Sequence, residues 1–146
     1  MTMLYRTVRR FVALIATSLV FAAGAQAGDL DLSPEEALAK AQSGEILLID
    51  IRTPPEWRET GVAPEAHRID MTDPKFIERL LQDMGGDKSA PIALICRTGN
   101  RSGYVQKQLQ SMGFSKVYNV PEGMAGSRSG PGWVRRGLPV ESCTNC

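Results

Sequence analysis

Histidine is almost missing from this sequence: His67 is the only one in 146 residues. A zinc centre assembled from it and the three cysteines has no spacing to support it beyond Cys143-x-x-Cys146, and one such pair is a weak signal. No metal and no cofactor is therefore expected. A basic excess is missing too, since the formal net charge is only +1. Nucleic-acid binding usually needs a clear positive surplus, so that class is set aside. No internal repeat occurs. No apolar run reaches the roughly 20 residues that span a bilayer.

The longest apolar stretch, residues 11–23, follows Arg6, Arg9 and Arg10 and precedes Ala25-Gln26-Ala27. A positive start, a short apolar centre and a small-x-small site make residues 1–27 a secretory signal peptide, with an uncleaved anchor as the bland alternative. The Arg9-Arg10 pair lacks the rest of a twin-arginine context, which points to the general secretory route. The expectation is an exported protein, periplasmic if the source is a Gram-negative bacterium, with no stable membrane insertion after cleavage. Of 17 basic residues, three fall in the leader, which leaves 14 against 16 acidic ones. Any positive patch on the mature domain must then be local. Three cysteines remain, Cys96, Cys143 and Cys146. An oxidising compartment favours pairing of the two that are close in sequence, leaving Cys96 as an odd, reactive thiol.

Beyond the leader, residues 28–141 read as one domain. Leu30-Asp31-Leu32 is a short first strand. Ser33-Pro34-Glu35-Glu36 is a helix start, with Ser33 as cap and Glu36 closing a capping box. Ile46-Leu47-Leu48-Ile49 and Ile92-Ala93-Leu94-Ile95 are continuous apolar runs of the kind buried in parallel sheets. His67-Arg68-Ile69 and Lys116-Val117-Tyr118-Asn119 read as further strands. Helices are expected after Pro54, after Asp73-Pro74 and from Ser102. Strands alternating with helices predict an α/β domain with a mostly parallel sheet. Such sheets bind ligands beyond the carboxyl ends of their strands, where Asp50 and Cys96 both fall.

The segment from Cys96 to Ser102 carries the chemistry. A thiol leaves a buried strand and enters a polar loop that runs into a helix start, whose free N–H groups carry partial positive charge. Gly99 lets successive amides turn inward as an anion nest. Arg97 and Arg101 add two full charges. Such surroundings lower a cysteine pKa from about 8.5 toward neutrality, and the thiolate is the nucleophile. The bland reading is a cysteine that merely ends a strand.

Taken in order, Leu48-Ile49-Asp50-Ile51-Arg52, Glu56-Trp57, the Cys96-Arg97-Thr98-Gly99-Asn100-Arg101-Ser102 loop and the Gly123, Trp133, Gly137-Leu138-Pro139-Val140 segment resemble a single-domain rhodanese. The resemblance spans about residues 30–141. It implies a rhodanese-like α/β fold with a five-stranded, mostly parallel sheet flanked by helices. It also implies that Cys96 accepts a sulfane sulfur from a small anionic donor such as thiosulfate, releasing sulfite. A thiol, a partner protein or cyanide then takes the sulfur. Cys96 and Arg101 enclose four residues, the sulfurtransferase size, whereas related phosphatases enclose five. Two departures stand out. Gly61-Val62-Ala63-Pro64-Glu65-Ala66 lacks the histidine and second glycine of many family members. Ser127-Arg128-Ser129-Gly130 is an insertion expected to border the site mouth.

Around Cys96, Arg97 is read as a binder of the anionic donor, because guanidinium matches oxyanions with forked hydrogen bonds. Arg101 is read as a brace for the loop or its thiolate. Ser102 is expected to cap the helix, to donate to the sulfur, or to do both. Asp50 and Arg52 support the site without acid–base work, with Glu56 the candidate partner of Arg52 in a surface ion pair. Trp57 and Trp133 are packing anchors. The 142–146 segment, Cys143-Thr144-Asn145-Cys146 with Ser142, is either a frayed tail or a resolving pair for Cys96. Two rival functions stay open: a non-catalytic persulfide carrier or docking module, and a thiol–disulfide enzyme using Cys143 and Cys146.

Overall fold

A computed structural model describes residues 30–146; the leader expected over 1–27 lies outside the described residues. Four parallel strands form the sheet: β1 (Leu47–Asp50), β2 (His67–Arg68), β3 (Ile92–Ile95) and β4 (Val117–Asn119), in spatial order β2-β1-β3-β4. Five helices accompany them: α1 (Pro34–Gln42), α2 (Pro54–Thr60), α3 (Phe76–Asp83), α4 (Asn100–Ser111) and α5 (Gly132–Arg135). No helix among the described residues is long and apolar enough to cross a membrane.

The apolar runs occupy the sheet centre because both faces are covered. Leu48, Ala93 and Ile95 pack with Ala37, Ala41, Met124 and Trp133 on one side. Ile49, Ile92 and Leu94 pack with Leu80, Val105, Leu109 and Phe114 on the other. Alternating side chains thus enter two cores, which is why these strands lack polar alternation. Each fully buried aliphatic side chain contributes about 1.5–3 kcal/mol.

Two expectations are corrected here. The sheet has four strands rather than five: Leu30-Asp31-Leu32 contributes only a parallel bridge from Asp31 to Asn119. The Leu32 N–H donates to the Asn119 carbonyl at 2.8 Å, and the Asn119 N–H to that of Leu30 at 2.7 Å. The chain cannot continue along β4, because the Ser33–Glu36 capping box turns it into α1 one residue later. The second correction concerns α4, which starts at Asn100 with Gly99 at the capping position. Ser102 therefore lies inside the first turn and is not the cap.

The register fixes where chemistry can occur. Asp50 pairs with Arg68 on one side and Ile95 on the other. Asp50, Arg52 and Cys96 consequently share the carboxyl edge of the sheet, where β1 and β3 end and the loops to α2 and α4 begin.

Candidate active site around Cys96

Cys96 leaves β3 fully buried, and its sulfur is met by three donors. The Gly99 N–H lies 3.2 Å from Sγ, the Ser102 N–H 3.4 Å and the Ser102 hydroxyl 3.3 Å. That hydroxyl also lies 3.1 Å from the Gly99 carbonyl, so its single proton serves one acceptor or the other. The amides belong to the cap and third residue of α4, the end of the helix where N–H groups lack intrahelical partners. The inward-turned amides expected from the sequence are present.

Gly99 makes this turn possible. Its φ is +84°, and a Cβ there would stand 2.0 Å from the Pro121 carbonyl oxygen. The segment after β4 presses on the loop from outside: the Met124 N–H donates to the Cys96 carbonyl at 2.9 Å, and that of Ala125 to the Arg97 carbonyl at 2.8 Å. Close approach here requires Gly123, whose φ is +65° and whose Cβ would meet the Arg97 carbonyl at 2.5 Å. The loop is thus clamped in register with the sheet edge.

Arg101 reaches across to α2. Its Nη1 donates to Glu56 Oε2 at 3.0 Å and its Nη2 to Oε1 at 2.5 Å. Glu56 also accepts from the Thr53 N–H and hydroxyl, each at 3.0 Å. The Arg101 hydrogen bonds, helped by Thr53 and opposed by burial, bring the Glu56 carboxyl from 4.5 down to about 2. Arg101 is raised, by its Glu56 hydrogen bonds first and by weaker attraction to Cys96 and Asp50. It is anchored on α2 by an acid whose expected partner lies elsewhere.

Arg52 is that expected partner, and its surface pair with the Glu56 carboxylate is not formed. The guanidinium is buried and binds Asp50, with Nε at 2.9 Å from Oδ1 and Nη2 at 2.6 Å from Oδ2. Its remaining N–H groups go to the Gly61 carbonyl at 2.8 Å, the Thr60 hydroxyl at 2.6 Å and the Glu56 carbonyl at 3.3 Å. Asp50 and Arg52 thus lock the β1–α2 connection beneath the loop, as buried charges do when paired and fully hydrogen-bonded.

Arg97 points outward, its side chain 54% exposed and 3.9 Å from Glu59. With Arg52, Glu56, Thr60, Met124 and Ala125 it borders a small cleft. Thr98, Gly99 and Asn100 border a larger one, about 660 Å³, whose far wall is the Ser127-Arg128-Ser129 insertion. Ser127 and Gly130 pair there as a tight hairpin. Cys96 itself has no exposed surface. The loop and its neighbours therefore cover the sulfur completely.

Several neighbouring contacts are not marked by the sequence. Glu122 is buried, accepts from the Gly132 N–H at 2.9 Å and pairs twice with Arg136, which ties the loop-pressing segment to α5. Arg68 faces the sulfurs of Cys143 and Cys146, which are joined in a disulfide while Cys96 is free. Only chain separation hid these pairs; no local motif marks them.

Comparison with known proteins agrees with this geometry. The rhodanese-like domain family matches residues 33–129. Thiosulfate sulfurtransferase GlpE of Tolumonas auensis is 31% identical over 97 residues, covering 66% of this chain and 86% of that protein. A sulfurtransferase of Allochromatium vinosum is 30% identical over 100 residues, covering 68% and 82%. The solution structure of the polysulfide-sulfur transferase homodimer of Wolinella succinogenes superposes with a TM-score of 0.60 at 28% identity, covering 79% and 80%. The chain belongs to the rhodanese-like domain family, and at the level of that family its activity is sulfur transfer.

Proposed function

We propose that the protein moves a sulfane sulfur from a small anionic donor of the thiosulfate type to a thiol, with Cys96 as the carrier. The observation that carries this reading is the convergence of the Gly99 N–H, the Ser102 N–H and the Ser102 hydroxyl on one sulfur. Such donors can hold negative charge on the sulfur they face as it attacks and as it carries a second sulfur. The thiolate attacks the outer sulfur of thiosulfate. A Cys96–sulfur bond forms, the sulfur–sulfur bond of the donor breaks, and sulfite departs with the electron pair. The persulfide so formed carries its own negative charge, opposed by the start of α4 and by Arg101. An acceptor thiolate, small or on a partner protein, then attacks the outer sulfur and releases Cys96 as thiolate; cyanide does the same and leaves as thiocyanate. Arg97, exposed beside the loop, meets the donor's sulfonate. The leader-like residues 1–27 support work outside the cytoplasm, in the periplasm of a Gram-negative source.

Intact-mass spectrometry after thiosulfate treatment tests the reading. The expected result is a gain of one sulfur, mapped to Cys96, with stoichiometric sulfite. Cys96→Ser must lose both. An unchanged wild-type mass, or full turnover by the mutant, would reject it.

A further inference from the structure

The disulfide between Cys143 and Cys146 lies apart from Cys96. Cys143 packs with Trp57 and Val62, whereas Cys96 belongs to the cluster of Ile51, Ile69 and Val105. The 142–146 segment is held on α2 and its following turn. Glu141 exchanges backbone hydrogen bonds with Val62 at 2.8 and 2.9 Å, and the Arg58 guanidinium donates to the Cys146 carbonyl. These anchors are made by atoms other than the two sulfurs.

Arg68, on the edge strand β2, donates from one nitrogen to both sulfurs. Among the described residues it has no carboxylate partner within salt-bridge distance. A disulfide sulfur is neutral and a weak acceptor. A full positive charge aimed at two such atoms gains little while they are joined. It gains much more when one of them becomes a thiolate. Thiol–disulfide exchange is faster, and its equilibrium lies further toward the dithiol, when the leaving sulfur is a stabilised thiolate.

We propose that Cys143 and Cys146 form a thiol–disulfide exchange site, separate from the Cys96 loop, which Arg68 poises to accept two electrons from a dithiol reductant. Cys146 is the more exposed of the two and Cys143 the buried one. The reductant's first thiolate attacks Cys146 Sγ, forming a mixed disulfide. The Cys143–Cys146 bond breaks, and Cys143 leaves as a thiolate facing Arg68. The reductant's second thiolate attacks its own mixed disulfide and expels Cys146, which takes up a proton. The reductant ends oxidised to a disulfide and the pair reduced.

Equilibration of the full chain with mixtures of reduced and oxidised dithiothreitol, followed by maleimide labelling and mass analysis, reads the equilibrium directly. The pair is expected to reduce in folded protein. Its reduction constant should exceed that of Arg68→Gln by about tenfold, the size expected from removing one charge beside the leaving sulfur. Arg68→Lys should retain part of the effect. Equal constants for wild type and Arg68→Gln, or reduction only upon unfolding, would overturn the proposal. Should Arg68→Gln fail to fold, the reduced Cys96→Ala protein decides: one thiolate absorbing in the ultraviolet at neutral pH supports the site, and none refutes it.

Discussion

Glu56 and Arg101 form a two-pronged ion pair, at 3.0 and 2.5 Å, that ties helix α2 to the loop around Cys96. The pair bridges 45 positions in the chain and braces the first turn of α4. Its pH dependence has a definite sign. The Glu56 carboxyl titrates lower in the folded protein than in the unfolded chain, at about 2 against 4.5. Its stabilising contribution is therefore complete above 4.5 and is lost as pH falls toward 2. Arg101 is partly exposed, so solvent screening keeps the contribution to about 1 kcal/mol. Glu56→Gln should lower urea stability by about that much at neutral pH. The wild-type advantage should shrink steadily as pH falls from 4.5 toward 2. An advantage undiminished across that range in denaturation curves would place the stabilisation elsewhere.

Among the described residues Ser102 is the one side-chain donor to Sγ, at 3.3 Å. Ser102→Ala removes the hydroxyl and leaves the two amides in place. Its position inside α4 favours alanine, so the fold should hold. Losing a hydrogen bond to a charged sulfur is worth about 1.5–3 kcal/mol, so persulfide formation should slow at least about tenfold. Stopped-flow measurement of sulfite release checks this. An unchanged rate would mean that the hydroxyl bonds the Gly99 carbonyl throughout the reaction.

The sulfur loop, both central strands and the α1 start were legible in the sequence because each is a local pattern. Runs of four apolar residues mark β1 and β3, and Ser33 with Glu36 marks a cap within four positions. What remained hidden was pairing across distance. Glu56 had a near neighbour in Arg52 and a true partner in Arg101. Glu122 meets Arg136 across 14 positions and Arg68 meets Cys143 across 75. Arg52 shows the other limit: Asp50 is two residues away, yet only burial under the Thr60–Gly61 turn turns that proximity into a locked pair. The expected first strand shrinks to a single bridge because α1 begins too soon to let it run.

That buried pair makes the sharpest stability test. Asp50 and Arg52 are both almost wholly withdrawn from water. Asp50→Asn leaves the Arg52 guanidinium without its counter-charge, a loss of about 3–5 kcal/mol. Arg52→Met leaves the Asp50 carboxylate in the same position and should cost a similar amount. Both should lower the denaturation midpoint, while any protein that still folds should retain persulfide formation by Cys96. Loss of transfer in a variant of undiminished stability would instead give these residues a chemical role.

Arg97 is separated from the fold's stability by its exposure. Its nearest acid, Glu59, stands at 3.9 Å across solvent. Arg97→Gln should leave the denaturation midpoint unchanged. It should raise KM for thiosulfate by about fivefold, equivalent to about 1 kcal/mol of charge attraction, with kcat held. Added salt should raise the wild-type KM toward that of the variant, because the attraction is screened. A fall in kcat at constant KM would move Arg97 from meeting the donor to assisting the departure of sulfite.

Gly99 joins the fold and the chemistry at a single backbone torsion. With φ at +84° and the Pro121 oxygen 2.0 Å from any Cβ, alanine fits neither the torsion nor the space. The torsion alone costs about 1–3 kcal/mol, and the contact forces the loop away from the segment after β4. Gly99→Ala should then lose more persulfide formation than Ser102→Ala, because the whole turn moves rather than one hydroxyl. No substitution at Pro121 should rescue it, since the oxygen in the way is backbone and φ stays strained. Thiosulfate labelling of Gly99→Ala at a urea-free temperature where circular dichroism shows a folded chain separates the two effects. Normal labelling in that folded protein would mean that the Gly99 and Ser102 amides are dispensable to the sulfur they face.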